Sequence, residues 1–194
     1  MAQHDIILTG QVMSFTRSPF EGNAPKAATL DEAVLMQNGR ITATGPRAAM
    51  IAAAPKAQIH HHGAALICAG FVDAHVHYPQ TAMIASWGKR LIDWLNAYTF
   101  PEEMRFADPD YAALIAERYL DLTLSYGTTT ACSFATIHPA SVEAFFTAAQ
   151  ARGQRMITGK TCMDRNAPEG LLDTAQTAYD DSKKLLEKWH GVDR

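Results

Sequence analysis

From Gly70 onward, stretches with strand character alternate with stretches of helical periodicity, and this alternation constrains the fold more than any other feature. FVDAHVH (71–77), TTTACSF (128–134) and RMITGKTCM (155–163) read as strands. A first helix is marked by Asp108 as its cap and Pro109 in its first turn, with Leu114, Ile115, Tyr119 and Leu122 forming one face before Gly127. Ser141 opens the next, with Val142, Phe145, Phe146 and Ala149 inward and Gly153 just past its end. The last runs from about Thr174 to His190, with Leu185, Leu186 and Trp189 on one side and Gly191 after it. This order implies a parallel sheet or barrel. Residues 70–194 hold three or four units of about 30 residues, whereas a closed eightfold barrel needs about 250. The chain is therefore either a small open α/β sheet or the front part of a longer barrel.

Residues 1–68 have a different texture. DIILTGQVMSF (5–15) is rich in β-branched and apolar residues. An irregular stretch with Pro19, Gly22 and Pro25 follows, and then AVLMQNGRITATG (33–45). Its Asn38-Gly39 pair predicts a hairpin, because both central positions of a type I′ turn need positive φ. A short alanine-rich segment (47–54) and a strand-like piece ending at Cys68 complete this part. It is too small to close a core alone and is expected to pair with something else, as a small β-sandwich-like segment ahead of the α/β part at 69–194.

Composition removes several function classes. Hydrophobic residues at 47% and charged residues at 19% exclude bulk disorder. A net charge of -3 argues against a basic nucleic-acid surface, and no apolar run reaches the roughly 20 residues of a membrane span. The start MAQHDIILTGQV lacks the basic-then-apolar layout of a signal peptide, so a cytoplasmic protein is expected. Cys68, Cys132 and Cys162 are scattered and read as buried thiols, not as a disulfide framework. HExxH, GxSxG and Gly-rich phosphate loops are all missing, as is the HxE plus PCxxC pattern of the cysteine-rich zinc deaminases.

The chemistry is concentrated at His75-Val76-His77. Side chains two apart on a strand point the same way, so Phe71, Asp73, His75 and His77 share one face, and Val72, Ala74 and Val76 form an apolar opposite face. Two imidazoles about 7 Å apart converge on one metal if the strand bends at its end. Asp73 is placed to orient a ligand from behind. In a barrel the C-terminal strand ends are where catalytic groups gather. The other histidines carry less. His60-His61-His62 is expected on an exposed edge, where only His60 and His62 face the same way and bind nickel or zinc adventitiously. His138 reads as a turn residue before Pro139, and Asp164 as part of a hydrogen-bonded loop. Trp94, Trp189, Phe145 and Phe146 read as core.

GFVDAHVHYPQ (70–80) resembles the metal-binding signature of the amidohydrolase superfamily, and more closely that of guanine deaminases. The resemblance continues in order through LIDWLNAYTFPEEMRF (91–106), GTTTACSFATIHP (127–139), GKTCMDRNAP (159–168) and TAYDDSKKLLEKWHG (177–191). It implies the amino-terminal part of a TIM-type (β/α)8 barrel. It also implies hydrolytic deamination of guanine to xanthine and ammonia by a metal-activated water. His75 and His77 match the two zinc ligands of the first barrel strand, with one zinc per subunit and iron as the alternative. Gln80 matches a side chain that contacts the purine, and the stretch from Trp87 to Phe100 looks like the cover of the purine pocket, which makes Trp87 a candidate substrate contact. The resemblance further implies a homodimer.

Catalytic zinc takes at least three protein ligands. In guanine deaminases a further His and Asp, the acid/base Glu, the Arg-Phe pair holding guanine and another His come from later segments. None lies within residues 1–194, so no catalytic residue is expected in this chain, the general base is expected beyond Arg194, and the isolated chain is expected to be inactive. Two alternatives stand beside this reading. One is an amidohydrolase acting on a triazine, a pterin or another purine, and the other is a non-catalytic truncated product that binds a partner.

Overall fold

The computed structural model describes residues 5–18, 20–21 and 28–192, so the stretch containing Pro19, Gly22 and Pro25 lies outside the described residues. The chain divides into two compact units, Met1–Ala69 and Gly70–Arg194.

The first unit is a four-stranded sheet of β1 (Ile6–Phe15), β2 (Ala28–Gln37), β3 (Arg40–Gly45) and β4 (Gln58–Ile67), in the order β3-β2-β1-β4. β1–β2 and β2–β3 pair antiparallel, and β1–β4 parallel. Asn38 and Gly39 join β2 to β3 with φ of 51° and 72°, the double positive-φ turn that the Asn-Gly pair predicts. The parallel β4 needs a crossover, supplied by α1 (Arg47–Ala53), whose Met50 packs with Ile7, Ala33, Leu35 and Ala54. β4 is an edge strand, and His60, His61 and His62 are exposed on it. His61 is tied back by a 2.8 Å hydrogen bond between its Nδ1 and the Thr9 hydroxyl.

The second unit is a three-stranded parallel sheet, β5 (Phe71–His77), β6 (Thr128–Phe134) and β7 (Arg155–Gly159), in sequential order. Three helices follow the three strands: α4 (Pro109–Ser125), α5 (Pro139–Arg152) and α6 (Ala175–Trp189). Short helical turns, α2 (Leu91–Trp94), a π-helical turn (Leu95–Thr99) and α3 (Phe100–Met104), occupy the long connection after β5. This is three βα units of a parallel α/β fold. No helix among the described residues is long and apolar enough to cross a membrane.

The core is assembled by aromatic residues from separate elements. Tyr78, Phe106, Tyr119 and Phe145 are all buried, and Tyr78 stacks on Phe145 at 4.5 Å between ring centroids. Asp108 caps α4 by accepting from the Asp110 N–H, and Gly153 ends α5 with φ of 64°.

Several expectations need correction. The face of α4 that packs is Ala112, Ile115, Ala116, Tyr119 and Leu120, while Leu114 and Leu122 are exposed. Small alanines let α4 approach α5 closely, so the contact stripe is rotated from the one the larger residues suggest. α5 starts at Pro139 with His138 at its cap, because the buried Ser141 hydroxyl turns inward to accept from the Thr136 N–H and donate to the His138 carbonyl. The third strand ends at Gly159, short of Met163. On α6, Leu185 is buried and Trp189 half-buried, but Leu186 is exposed. On β5 only Val76 packs into the core. Val72 and Ala74 are exposed, because α4 and α5 lie over β6 and β7 and leave the edge strand β5 uncovered. The three cysteines are free but exposed, not buried. Cys132 alternates with the buried Ala131 and Ser133 on β6, so strand periodicity turns it to the face that the helices leave uncovered.

Candidate active site

The β5 strand delivers its two histidines to the C-terminal end of the sheet. Between Asp73 and Val76 the β5–β6 pairing shifts register, which bends the strand end. The imidazole centroids of His75 and His77 then lie 5.4 Å apart, edge to face. Phe134, which ends β6 and pairs with His77 across the ladder, stacks on His77 at 4.7 Å and meets His75 at 5.5 Å. This one ring buttresses both imidazoles. Sequence reasoning missed it, although parallel pairing of FVDAHVH with TTTACSF aligns the two strand ends.

The position of His77 is set by its neighbour. Tyr78 points the opposite way into the core, where its N–H donates to Ser133 Oγ at 3.0 Å and its hydroxyl donates to the Ser141 carbonyl at 2.6 Å. Burial pushes the Tyr78 hydroxyl well above the usual phenol range, so it stays a donor. Burial, with a further push from His75, lowers the pKa of His77. Both effects favour the neutral imidazole, the form that ligates a metal. Two imidazoles on a bent strand end thus fit part of a zinc or iron ligand set. Among the described residues no group of three or more His, Cys, Asp or Glu is arranged to hold a metal. Asp73 does not reach a ring: its carboxylate accepts the His75 backbone N–H at 3.1 Å.

Gln80 lies half-buried on a 3₁₀ turn (Tyr78–Met83) directly after β5. Glu103, on α3, is buried, and burial raises its carboxyl pKa while the Gln80 side chain opposes the rise. Trp87 stands apart at 72% exposure. His138 is half-buried at the start of α5, with its Nε2 buried and without a partner among the described residues, and Asp164 is exposed and ion-paired with Arg165 at 2.8 Å. Neither joins His75 and His77. A buried ion pair, Lys160 with Asp173 at 2.5 Å, lies just past β7, and no sequence spacing announced it.

With this geometry established, comparison with known proteins gives a consistent answer. Residues 66–192 match the amidohydrolase family model, and residues 33–57 match an imidazolonepropionase-like composite domain of bacteria. The chain is 51% identical over 125 residues to the guanine deaminase of Escherichia coli K12, an alignment covering 64% of this chain and 28% of that enzyme. Its fold superposes on the crystal structure of guanine deaminase from Bradyrhizobium japonicum with a TM-score of 0.92 at 35% identity, covering 99% of this chain and 42% of the other. The guanine deaminase of C. acetobutylicum, solved with guanine in its active site, matches with a TM-score of 0.81 at 26% identity over 97% of this chain and 44% of its own. The chain thus spans less than half the length of these relatives.

Proposed function

The chain belongs to the amidohydrolase family, and on that premise we propose that it serves the hydrolytic deamination of guanine to xanthine and ammonia. The observation that carries this reading is the convergence of His75 and His77 at the C-terminal end of β5, with Gln80 one turn further on. The 51% identity to a guanine deaminase supports guanine over a triazine or pterin.

His75 and His77 would hold the metal, with zinc as the expected ion. When bound, that ion supplies Lewis acidity towards the water that replaces the amine. The chain's own residues do the positioning. Phe134 packs on both imidazoles and fixes their orientation from one side. Gln80 presents a carboxamide able to donate to and accept from a base edge. Trp87 and the helical turns that follow it would close over the heterocycle. Catalytic zinc needs at least one more protein ligand, and the chemistry needs an acid/base group. We propose that polypeptide outside residues 1–194 supplies both, in a homodimeric enzyme.

The test is an assay of the metal-loaded protein in its native form, its intact mass measured first, with guanine, a triazine and a pterin as substrates. Xanthine and ammonia should appear from guanine. His75→Ala and His77→Ala should each lower kcat/KM more than about a hundredfold, since each removes a ligand from a group that lowers the barrier by several kcal/mol. The 194-residue polypeptide alone should release no ammonia. Turnover of the triazine or pterin but not guanine would sink the assignment.

A further inference from the structure

Lys160 is the first residue after β7 and Asp173 directly precedes Thr174, the cap of α6, so together they bracket the 160–173 loop. The Lys160 side chain is fully buried, and its Nζ lies 2.5 Å from Asp173 Oδ2 while also donating to the Thr161 carbonyl at 3.1 Å. The loop is fastened at both ends. Thr161 donates its N–H to the Thr136 carbonyl and its hydroxyl to the Ala135 carbonyl, and the Asp173 N–H donates to the Met163 carbonyl at 2.6 Å. Its apolar side packs through Met163, Ala167 and Leu171 onto Leu95, Phe100 and Ile137. Its outer turn is open to solvent, with Arg165 among the most exposed side chains there.

A buried ammonium has three donors and no acceptor, so it needs its carboxylate partner in place. The loop therefore cannot swing away without separating two charges in a site that excludes water. An apolar pair of similar size would keep the packing but not the direction. We propose that the Lys160–Asp173 pair is a clasp that fixes the 160–173 loop against Leu95 and Phe100, and so positions the cover of the heterocycle pocket. This rests on the guanine reading above, because Leu95 and Phe100 belong to the stretch assigned to that cover. With its side chain sealed from solvent, Lys160 acts by positioning and touches no substrate.

The holoenzyme carrying Lys160→Met and Asp173→Leu together tests the proposal, with trypsin cleavage after Arg165 and the kinetics for guanine as readouts. Each single variant leaves one charge buried and unpaired and should lose stability sharply, whereas the double variant should melt within about 5 °C of the parent. In the double variant, cleavage after Arg165 should be about tenfold faster, because the loop opens more often. KM for guanine should rise about tenfold with kcat within about threefold, the pattern of lost binding without lost chemistry. Unchanged cleavage overturns the clasp, and faster cleavage with unchanged KM overturns its role in positioning. Should the double variant not fold, Asp173→Asn keeps the shape and an acceptor for the Lys160 ammonium while removing the opposing charge, and it should show the same two changes. Unchanged cleavage after Arg165 in Asp173→Asn overturns the clasp in the same way. If the parent holoenzyme turns over no guanine, the functional reading fails, and cleavage after Arg165 still decides whether the clasp holds the loop.

Discussion

At the residue scale, two adjacent side chains divide the labour at the strand end. His77 faces the open side against Phe134, and Tyr78 is sunk into the core with both its backbone N–H and its hydroxyl satisfied. Tyr78 opens the 3₁₀ turn directly after His77, the last residue of β5, so its rigidity is passed to the imidazole beside it. His138 shows the opposite situation, a histidine whose buried Nε2 has no partner among the described residues. Burial lowers its pKa, Asp173 opposes the shift and Lys160 adds to it, and its place at the start of α5 further disfavours a positive charge. The folded state therefore holds the His138 proton less tightly than the unfolded chain. The stability this contributes is present above the ordinary value of 6.5 and is lost as pH falls through the window below it. His138→Gln should flatten the dependence of melting temperature on pH in that window. A variant whose Tm falls on acidification as steeply as the parent's would show that this histidine does not carry the effect.

At the scale of elements, most helix ends were legible, and so was the inward face of α5, whereas the faces of α4 and α6 were legible only in part. Asp108, Pro109, Thr174 and Gly153 act as local backbone chemistry dictates, since a cap or a positive-φ stop depends on one turn of chain. Thr174 goes further and forms a reciprocal pair with Thr177, each side chain meeting the other's backbone N–H. Thr174→Ala should cost about 1 kcal/mol in urea unfolding with an unchanged m value. A loss within error of zero would mean that α6 is held by its packing alone. The faces of α4 and α6 escaped in part because several apolar stripes compete on those helices. Which one is buried depends on the partner: Ala112 and Ala116 win over Leu114 and Leu122 on α4 because they allow close approach.

At the scale of the molecule, the parallel sheet has two free edges, β5 and β7, among the described residues. Phe71, Val72 and Ile157 stay exposed on it, and a groove of about 520 Å³ runs along β7, walled by Phe146, Met156, Leu185 and Trp189. Unpaired parallel edges beside apolar surface are a template for association. The 194-residue polypeptide should therefore self-associate in the micromolar range, as read by sedimentation velocity. A stable monomer at those concentrations would show that the three-stranded unit is self-sufficient.

What the sequence determined by itself is what short-range chemistry controls. Period-two and period-3.6 patterns set the order of strands and helices, Asn38-Gly39 set a hairpin, and HxH on a strand set two imidazoles on one face. Only the tertiary structure decided the rest, because it depends on residues far apart in the chain meeting. Phe134 comes to lie under His75 and His77 through strand pairing across a long helical connection. Asp73 spends its carboxylate on backbone instead of an imidazole, and Cys132 is turned outward by the alternation of β6. Lys160 and Asp173, which look like ordinary surface charges in the sequence, are buried as a pair because the loop between them closes. Burial and charge pairing are properties of the assembled core, and no local pattern in a chain encodes which distant partner will be there.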